Sequence, residues 1–424
     1  MSFKYGLEDK PPRGEIFILG IQWLAVTVPL IIIIGNILGA LNGGAIDISY
    51  LQAILMTAGA VLLAQLRYGH KLPLVLGPST VLVIAVLSSR GQSSGAINSS
   101  IILGGAVLAL MAVSGVFKYL ERLFTPRVIM VILLLIAFTL SPAILNLITA
   151  DNGVSPCANL VFVISLVLPV FPAHRVLKGL WKSTLPLWIM LLGSLSYYLL
   201  FGVLTPLPPD LPVLSLPGWF AEPPALPGPT MLISFLICFL ALAVNDLGSI
   251  QAVGSLLKTG NMETRVKRGI AITGAGNVLS GILGVIGPVN YSLSPGVIAA
   301  TGNASRHTLL PAAAGLLLLA CSPLAVGFIS SIPAPVVGAI LLYLMTAQVA
   351  AAFLLSGENH AFKTLNHGLV VGLSIMVGTV VAYLPADVTG RLPLAIRSLL
   401  GNGFVMGLLT VMFLEHLVFA GSKE

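Results

Sequence analysis

Only one carboxylate in the sequence lies deep inside an apolar stretch. It is Asp246, in the run LALAVNDLGSIQAVGSLL, where Asn245, Ser249 and Gln251 add further polar groups. A charge at the centre of a bilayer costs roughly 2.5–3.5 kcal/mol on insertion scales, so such an acid faces a cavity, pairs with another group or holds a proton. Asp246 is therefore a candidate for ion coupling or ligand contact. The alternative is a structural aspartate that accepts hydrogen bonds from helix N-terminal amides or neighbouring hydroxyls.

Two Gly-Pro motifs interrupt apolar stretches, LGPST at 76–80 and IGPVNYSLSPG at 286–296. Proline breaks a helix and frees backbone groups, and within a membrane such groups are buried in protein or line a wet cavity. The short helix that follows presents unpaired N–H groups and a partial positive charge at its N-terminus. Two such ends meeting near the midplane would bind a polar or anionic ligand. The alternative is a pair of packing kinks, which small residues tolerate.

Three further positions in apolar stretches carry polar or aromatic groups. Gln22 can hydrogen-bond a ligand or tie two helices together, and Trp23 can stack on a ligand or belong to the core. Glu415, like Glu15, lies near the end of a stretch, where its carboxylate is expected to reach the membrane interface.

The other chemically active residue types form no recognisable site. The three cysteines are far apart, and the sequence has no zinc spacing, nucleotide-binding loop or nucleophile elbow. A membrane-embedded enzyme and a resident metal or organic cofactor are therefore not expected. No histidine lies deep in an apolar stretch, and no role is assigned to His70, His174, His307, His360, His367 or His416.

The composition requires a lipid environment. Hydrophobic residues make up 57% of the 424 residues and charged residues only 8%, whereas soluble domains carry about 25% charged residues. We predict an all-α polytopic membrane protein with fourteen segments, of which the third and tenth are broken half-helices. A run of glycines in segment nine predicts close helix packing. The segments are about 16–37, 50–66, 73–88, 98–117, 128–149, 158–173, 183–204, 229–255, 269–287, 294–304, 308–330, 334–355, 368–385 and 393–419.

Lysine and arginine positions predict the orientation. With the N-terminus (1–14) in the cytoplasm, only Arg90, Arg391 and Arg397 of the 21 basic residues fall in outside loops, which is the asymmetry expected of a multi-pass protein in the cell membrane. Both termini are then cytoplasmic. The net charge of +7 reflects this topology, and nucleic acid is not an expected partner.

The two broken segments divide the chain into two halves. Each is the third segment of seven, and a Pro-rich extracytoplasmic loop at 205–228 separates the halves. Because seven is odd, the second half is inverted relative to the first. Inverted repeats with broken helices at matching positions are typical of secondary transporters, whose binding site lies at those breaks.

Four motifs carry a resemblance that extends along essentially the whole chain. They are YGLEDKPP at 5–12, GIQW at 20–23, LGPST at 76–80 and YSLSPGVIAATG at 291–302. The chain resembles the nucleobase–ascorbate transporter family, which includes the bacterial uracil and xanthine permeases.

The resemblance implies a core domain that moves against a gate domain, usually in a homodimer. The core would comprise 15–122 and 229–332, and the gate 123–204 and 333–419. It also implies that the substrate lies between the two half-helices and is bound by helices 3, 8 and 10.

The chain departs from the family pattern at several of these positions. Asn245 occupies the place of the family's substrate-binding Glu, with Asp246 next to it, and Leu293 occupies that of a second Gln or Glu. Ser294 replaces an Asn, and Trp23 replaces a His. The candidate substrate-binding residues are Gln22, Trp23, Ser79, Thr80, Asn245, Asp246, Asn290, Ser292, Leu293 and Ser294, and Asp246 is also the candidate ion-coupling residue.

The expected function is symport of a nucleobase such as uracil, xanthine or another purine, driven by a proton or sodium gradient, through alternating access. The first alternative is an anion transporter or exchanger of the sulfate or bicarbonate type, because two opposed helix N-termini without a substrate Glu suit an anion. The lack of any nucleophile–base or metal constellation argues against an enzyme.

Overall fold

The computed structural model describes most of the chain and places it in helices joined by short connections. Of the predicted site residues, Ser292 and Leu293 lie outside the described part. The described residues are 3–39, 47–89, 91–115, 125–150, 152–177, 181, 185–202, 210–218, 223–291, 294–358, 364–393 and 400–419.

The first half contains eight helices and one short strand among the described residues. Several of these helices begin at a Ser or Thr whose hydroxyl accepts a backbone N–H, as with Ser79, Ser93 and Thr125. The elements are α1 (Arg13–Gly39), α2 (Ile48–Arg67), β1 (Leu76–Pro78), α3 (Thr80–Ser88), α4 (Ser94–Ser114), α5 (Pro126–Ile148), α6 (Pro156–Val167), α7 (Val170–Val176) and α8 (Leu185–Phe201).

The second half repeats this pattern of long helices around a short strand and a short helix. Its described elements are α9 (Pro229–Leu256), α10 (Met262–Ile282), β2 (Pro288–Asn290), α11 (Ser294–Thr301), a 3-10 turn (Arg306–Thr308), α12 (Leu309–Ala320), α13 (Pro323–Ser330), α14 (Ala334–Glu358), α15 (Leu365–Ala382), α16 (Ala386–Arg391), α17 (Gly403–Phe413) and a π-helical turn (Leu414–Val418).

Eight helices in the described part of the chain are long and apolar enough to cross a membrane, as expected of a polytopic membrane protein. A ninth span results if the stretch Arg306–Ala320 and α13, which are bent by 98° at Cys321–Ser322, are counted together. Two shorter apolar helices, Trp188–Phe201 and Gly403–Val418, lie in predicted segments seven and fourteen.

Several helices of the first half pack against helices of the second half. Helix α4 lies against α10, and α2 lies against α12. Helix α5 contacts both α14 and α15, and α14 also contacts α6. The β1–β2 pair lies among α1, α2, α9 and α10, so the interruptions of the third and tenth segments are enclosed by helices.

Glycines permit the close approach of α4 and α10. A Cβ atom added to Gly274 would lie 2.6 Å from the backbone nitrogen of Ala109 and 2.7 Å from the carbonyl oxygen of Gly105. A Cβ on Gly281 would lie 2.8 Å from the carbonyl oxygen of Asn98. Only hydrogen fits at these points, which confirms that the glycine run of segment nine serves helix packing.

Glu415 is paired with two residues at the start of α5. Its side chain is only 4% exposed and forms an ion pair of 3.0 Å with Arg127, and it accepts a hydrogen bond of 2.9 Å from Thr125. The π-helical turn that contains Glu415 follows α17, and α17 packs against α5. This packing buries the carboxylate against the start of α5.

The N-terminal segment is paired with the connection after α11. Tyr5 and Asn303 form a parallel β-bridge, and Ala304 N–H donates to Tyr5 O at 2.9 Å. Glu15 at the start of α1 accepts hydrogen bonds of 2.7 Å from both Lys4 Nζ and Tyr5 Oη. Ser305 Oγ also donates to Asp9 O at 2.6 Å, so the N-terminal segment is tied to the chain that follows the second broken segment.

Candidate functional site

The two Gly-Pro motifs lie directly against each other. Strands β1 and β2 are antiparallel, with Gly77 opposite Val289, and all six of their residues are buried. The pairing continues outward, since Ser79 N–H donates to Gly287 O and Tyr291 N–H donates to Val75 O, each at 2.9 Å. Gly77 and Val289, which are 212 positions apart in sequence, therefore belong to one small sheet inside the helices.

A short helix leaves each strand. Ser79 Oγ accepts from Leu82 N–H and begins the nine-residue helix α3, in which Thr80 is the first residue and is half-buried. Ser294 begins the eight-residue helix α11 and is fully buried. The positive ends of both helix dipoles thus lie beside the strand pair, where they favour a polar or anionic ligand.

The hydroxyl of Ser294 is hydrogen-bonded to the backbone next to both strands. Its hydroxyl accepts from Val75 N–H at 3.1 Å and donates to Tyr291 O at 3.1 Å. Tyr291 Oη in turn donates to Pro78 O at 3.3 Å. These contacts join the chain before β1 to the chain after β2.

Asp246 supports β2 from helix α9. Its Oδ1 accepts from the backbone N–H of Asn290 at 3.0 Å and from the side-chain Nδ2 of Asn290 at 2.6 Å. Its Oδ2 accepts from Thr273 Oγ1 at 2.7 Å. The side chain is fully buried, and its hydrogen bonds come from an amide of the broken segment and from a hydroxyl, the partners expected of a structural aspartate.

Other polar groups extend this cluster into α2 and α10. Gln65 Nε2 donates to Gly269 O at 2.8 Å and to Thr273 Oγ1 at 3.1 Å. Asn277 Nδ2 donates to Pro288 O at 2.9 Å, and Ser249 Oγ donates to Asn290 O at 3.1 Å. Helices α9 and α10 therefore contribute buried donors that fix the β2 backbone, and Gln65 joins α2 to α10 beside them.

His70 belongs to the same cluster. It lies in the connection between α2 and β1, as the sequence indicates, but it is not exposed there. Its side chain is fully buried, Nδ1 accepts from Leu72 N–H at 2.9 Å, and Nε2 lies 3.3 Å from Asn290 Oδ1. The connection from α2 to β1 folds back into the protein instead of lying in water. One feature of the sequence could have indicated this burial. The first Gly-Pro motif begins only a few residues after His70, so the chain has to enter the protein close to it.

The remaining candidates lie elsewhere around the site. Trp23 is buried and its Nε1 donates to Thr308 Oγ1 at 3.2 Å, so it joins α1 to the second half of the chain. Gln22 is also buried. Asn245 is half-buried, and its side chain points about 100° around α9 from that of Asp246. The structure thus brings Ser79, Asp246, Asn290 and Ser294 together, while Trp23 makes its hydrogen bond to the 3-10 turn.

No group of three or more His, Cys, Asp or Glu side chains in the described ranges is arranged to hold a metal ion. The chemistry available around the strand pair is hydrogen bonding from buried amides and hydroxyls, together with two helix N-termini. Such a site suits reversible binding of a polar ligand.

Comparisons with solved structures identify the fold. The transmembrane domain of a cyanobacterium bicarbonate transporter, BicA, has a TM-score of 0.60 at 18% identity and covers 87% of this chain and 96% of its own. The murine Solute Carrier 26 family member A9 anion transporter in the inward-facing state has a TM-score of 0.55 at 12% identity, covering 96% of this chain and 69% of its own. At these identities the likeness concerns the fold alone.

Comparisons with characterised sequences identify the family. The nucleobase transporter PlUacP of Paenibacillus larvae is 26% identical over 97% of this chain and 96% of its own. The uric acid permease PucK of Bacillus subtilis is 27% identical over 95% of each chain, and the xanthine permease XanQ of Escherichia coli is 26% identical over 99% of this chain and 94% of its own. The model of the Permease family, Xan_ur_permease, matches residues 14–387. The chain therefore belongs to the Xan_ur_permease family and is a multi-pass membrane permease, not an enzyme.

Proposed function

We propose that this permease is a secondary active symporter that carries a nucleobase, such as uracil, xanthine or another purine, across the cell membrane. The observation that carries the proposal is the buried β1–β2 pair, from which two short helices depart with their N-termini beside the same polar cluster. The names of the relatives, a nucleobase transporter, a uric acid permease and a xanthine permease, support a heterocyclic substrate.

The proposed architecture is fourteen segments in two inverted sevens, with both termini in the cytoplasm. The packing supports it, because the contact of α4 with α10 joins segments four and nine, and that of α2 with α12 joins segments two and eleven. An inverted repeat relates segment four to segment eleven and segment two to segment nine. It therefore converts the contact of four with nine into the contact of eleven with two, and both contacts are present. Alternating access would follow from movement of the core (15–122 and 229–332) against the gate (123–204 and 333–419), in a homodimer.

The proposed ligand contacts come from residues around the strand pair. Thr80 and Asn245, which are half-buried, would reach the ligand with their side chains, together with free amides at the starts of α3 and α11. Ser292 and Leu293 fall between β2 and α11 in sequence and complete the proposed site, with Gln22 at its edge.

Asp246 is the proposed coupling residue, for a proton or for sodium. If its Oδ2 gained a proton, it would donate to Thr273 Oγ1 and reverse the direction of the 2.7 Å hydrogen bond. Its Oδ1 would still accept from Asn290, so the carboxyl can change its protonation state without leaving a buried donor of Asn290 unpaired. The charge of the cluster would change by one while β2 stayed in place.

Anion transport on the same fold is the second candidate. The likeness to a bicarbonate transporter and to an anion transporter favours it, as does Asn245 at the place of the family's Glu. A site with two helix N-termini and an uncharged amide would suit an anion.

Uptake by proteoliposomes distinguishes the two candidates. Labelled uracil, xanthine, hypoxanthine, urate, sulfate and bicarbonate would be tested with imposed proton or sodium gradients, with protein-free liposomes as the control. We expect accumulation of at least one nucleobase that depends on one of the gradients. Uptake of sulfate or bicarbonate without any nucleobase would refute nucleobase symport and support the anion transporter.

A further inference from the structure

Two arginines bind the backbone at the end of α2 and in the connection that leads to β1. Arg265 Nη1, at the start of α10, donates to His70 O at 2.6 Å, and Arg306 Nη1 donates to Leu66 O at 3.1 Å. Lys71 adopts a left-handed conformation with φ of 56°, which turns the chain toward β1. The backbone of His70 is therefore fixed, and its side chain enters the protein at a defined place.

The contacts of the His70 ring determine which nitrogen carries the proton. Leu72 N–H donates to Nδ1, so Nδ1 has no hydrogen. The proton of the neutral ring is then on Nε2, which donates to Asn290 Oδ1. The ring also lies close to α10, since a Cβ added to Gly269 would be 3.4 Å from His70 Cδ2.

Asn290 is thereby held at both ends of its side-chain amide. Its oxygen accepts from His70 Nε2, and its nitrogen donates to Asp246 Oδ1. Without the donor at Nε2, the oxygen of a fully buried amide would be left unpaired, a condition that folded proteins avoid. His70 and Asp246 together therefore fix Asn290, which is the last residue of β2 and pairs with Leu76 of β1.

We propose that His70 is a positioning residue for transport: as a neutral imidazole protonated on Nε2, it holds Asn290 and so fixes β2 against β1, which sets where helix α11 begins. The effect on substrate rests on the proposed function of the strand pair. The effect on the strand pair itself does not.

Two conservative variants separate the roles of the two ring nitrogens. In His70→Gln, the amide nitrogen can reach the place of Nε2 and donate to Asn290, while the acceptor for Leu72 N–H is lost. In His70→Asn, the amide oxygen can take the place of Nδ1, while the donor to Asn290 is lost. A residue that only shaped the connection would make His70→Gln the worse variant, and a residue that positions Asn290 makes His70→Asn the worse one.

Hydrogen exchange and transport kinetics provide the test on the full-length protein. In His70→Asn we expect faster exchange of the amides of Asn290 and Tyr291, and a KM for the transported nucleobase raised roughly two- to tenfold with little change in the maximal rate. In His70→Gln both quantities should remain near those of the wild type. Unchanged exchange in His70→Asn, or equal effects in the two variants, would overturn the proposal.

A spectroscopic measurement tests the same assignment on the wild-type ring, with His70→Gln used only to identify its signal. In protein labelled with ¹⁵N-histidine, the signal that disappears in His70→Gln should have the shifts of a neutral ring protonated on Nε2. A ring protonated on Nδ1, or an imidazolium at pH 7, would overturn the proposal. If exchange responds as expected but no nucleobase is taken up by the wild type, the proposed function fails and the positioning role stands.

Discussion

Replacing Asp246 by Asn or by Ala should separate ion coupling from support of the binding strand. The Asn variant resembles the protonated acid, because its oxygen can accept from both N–H groups of Asn290 and its nitrogen can donate to Thr273 Oγ1. The Ala variant removes all three hydrogen bonds. Asp246→Asn thus removes the ability to gain and lose a proton but keeps the hydrogen bonds to β2. Asp246→Ala removes both.

The magnitudes follow from the groups left unpaired. In Asp246→Ala, two fully buried donors of Asn290 lose their acceptor, and each such loss costs about 1–3 kcal/mol. We therefore expect a destabilisation of about 2–6 kcal/mol, while Thr273 is free to turn its hydroxyl to another acceptor. In Asp246→Asn the same donors stay paired but lose an ionised acceptor, and the cost should be about 1 kcal/mol.

Counterflow and gradient-driven uptake in proteoliposomes check the prediction. We expect Asp246→Asn to exchange substrate in the absence of a gradient but to lose accumulation under one, and Asp246→Ala to lose both, with a lower melting temperature. Asp387→Asn, an exposed acid at the start of α16, is the control and should behave as the wild type. Wild-type accumulation by Asp246→Asn would refute the coupling role, and unimpaired exchange by Asp246→Ala would refute the strand-supporting role.

Two further predictions concern packing and charge. Gly274→Ala should lower the melting temperature by an amount that corresponds to about 1–3 kcal/mol, because its Cβ would lie 2.7 Å from Gly105 O. The control is Gly372→Ala, where a Cβ meets nothing within 4 Å. Equal effects of the two substitutions would contradict the packing argument. Arg127→Met should destabilise the protein by about 1–3 kcal/mol, since it strips the buried carboxylate of Glu415 of its cation. Adding Glu415→Gln should restore much of the loss in thermal denaturation, and a double variant no more stable than Arg127→Met would contradict the reasoning.

Composition and local pattern determined the class of the protein and the position of its breaks. The apolar stretches and the scarcity of charge require a membrane, and the Gly-Pro motifs locate both interruptions, because proline removes a backbone donor wherever it lies. The glycines of segment nine likewise predicted close packing, since a missing Cβ has the same consequence in any helix that meets another. The motif resemblance placed the chain in its family. These are properties of residues and their near neighbours.

Which groups meet was decided by the tertiary structure alone. Thr273 reaches Asp246 from 27 residues away, His70 reaches Asn290 from 220 and Trp23 reaches Thr308 from 285. The spacing of apolar residues says where a segment lies, but not how each helix is rotated about its axis or which loop folds inward. Asp246 and His70 therefore acquire their partners only when α2, α9 and α10 pack around the strand pair, because a buried polar group has to find its hydrogen bonds within the protein.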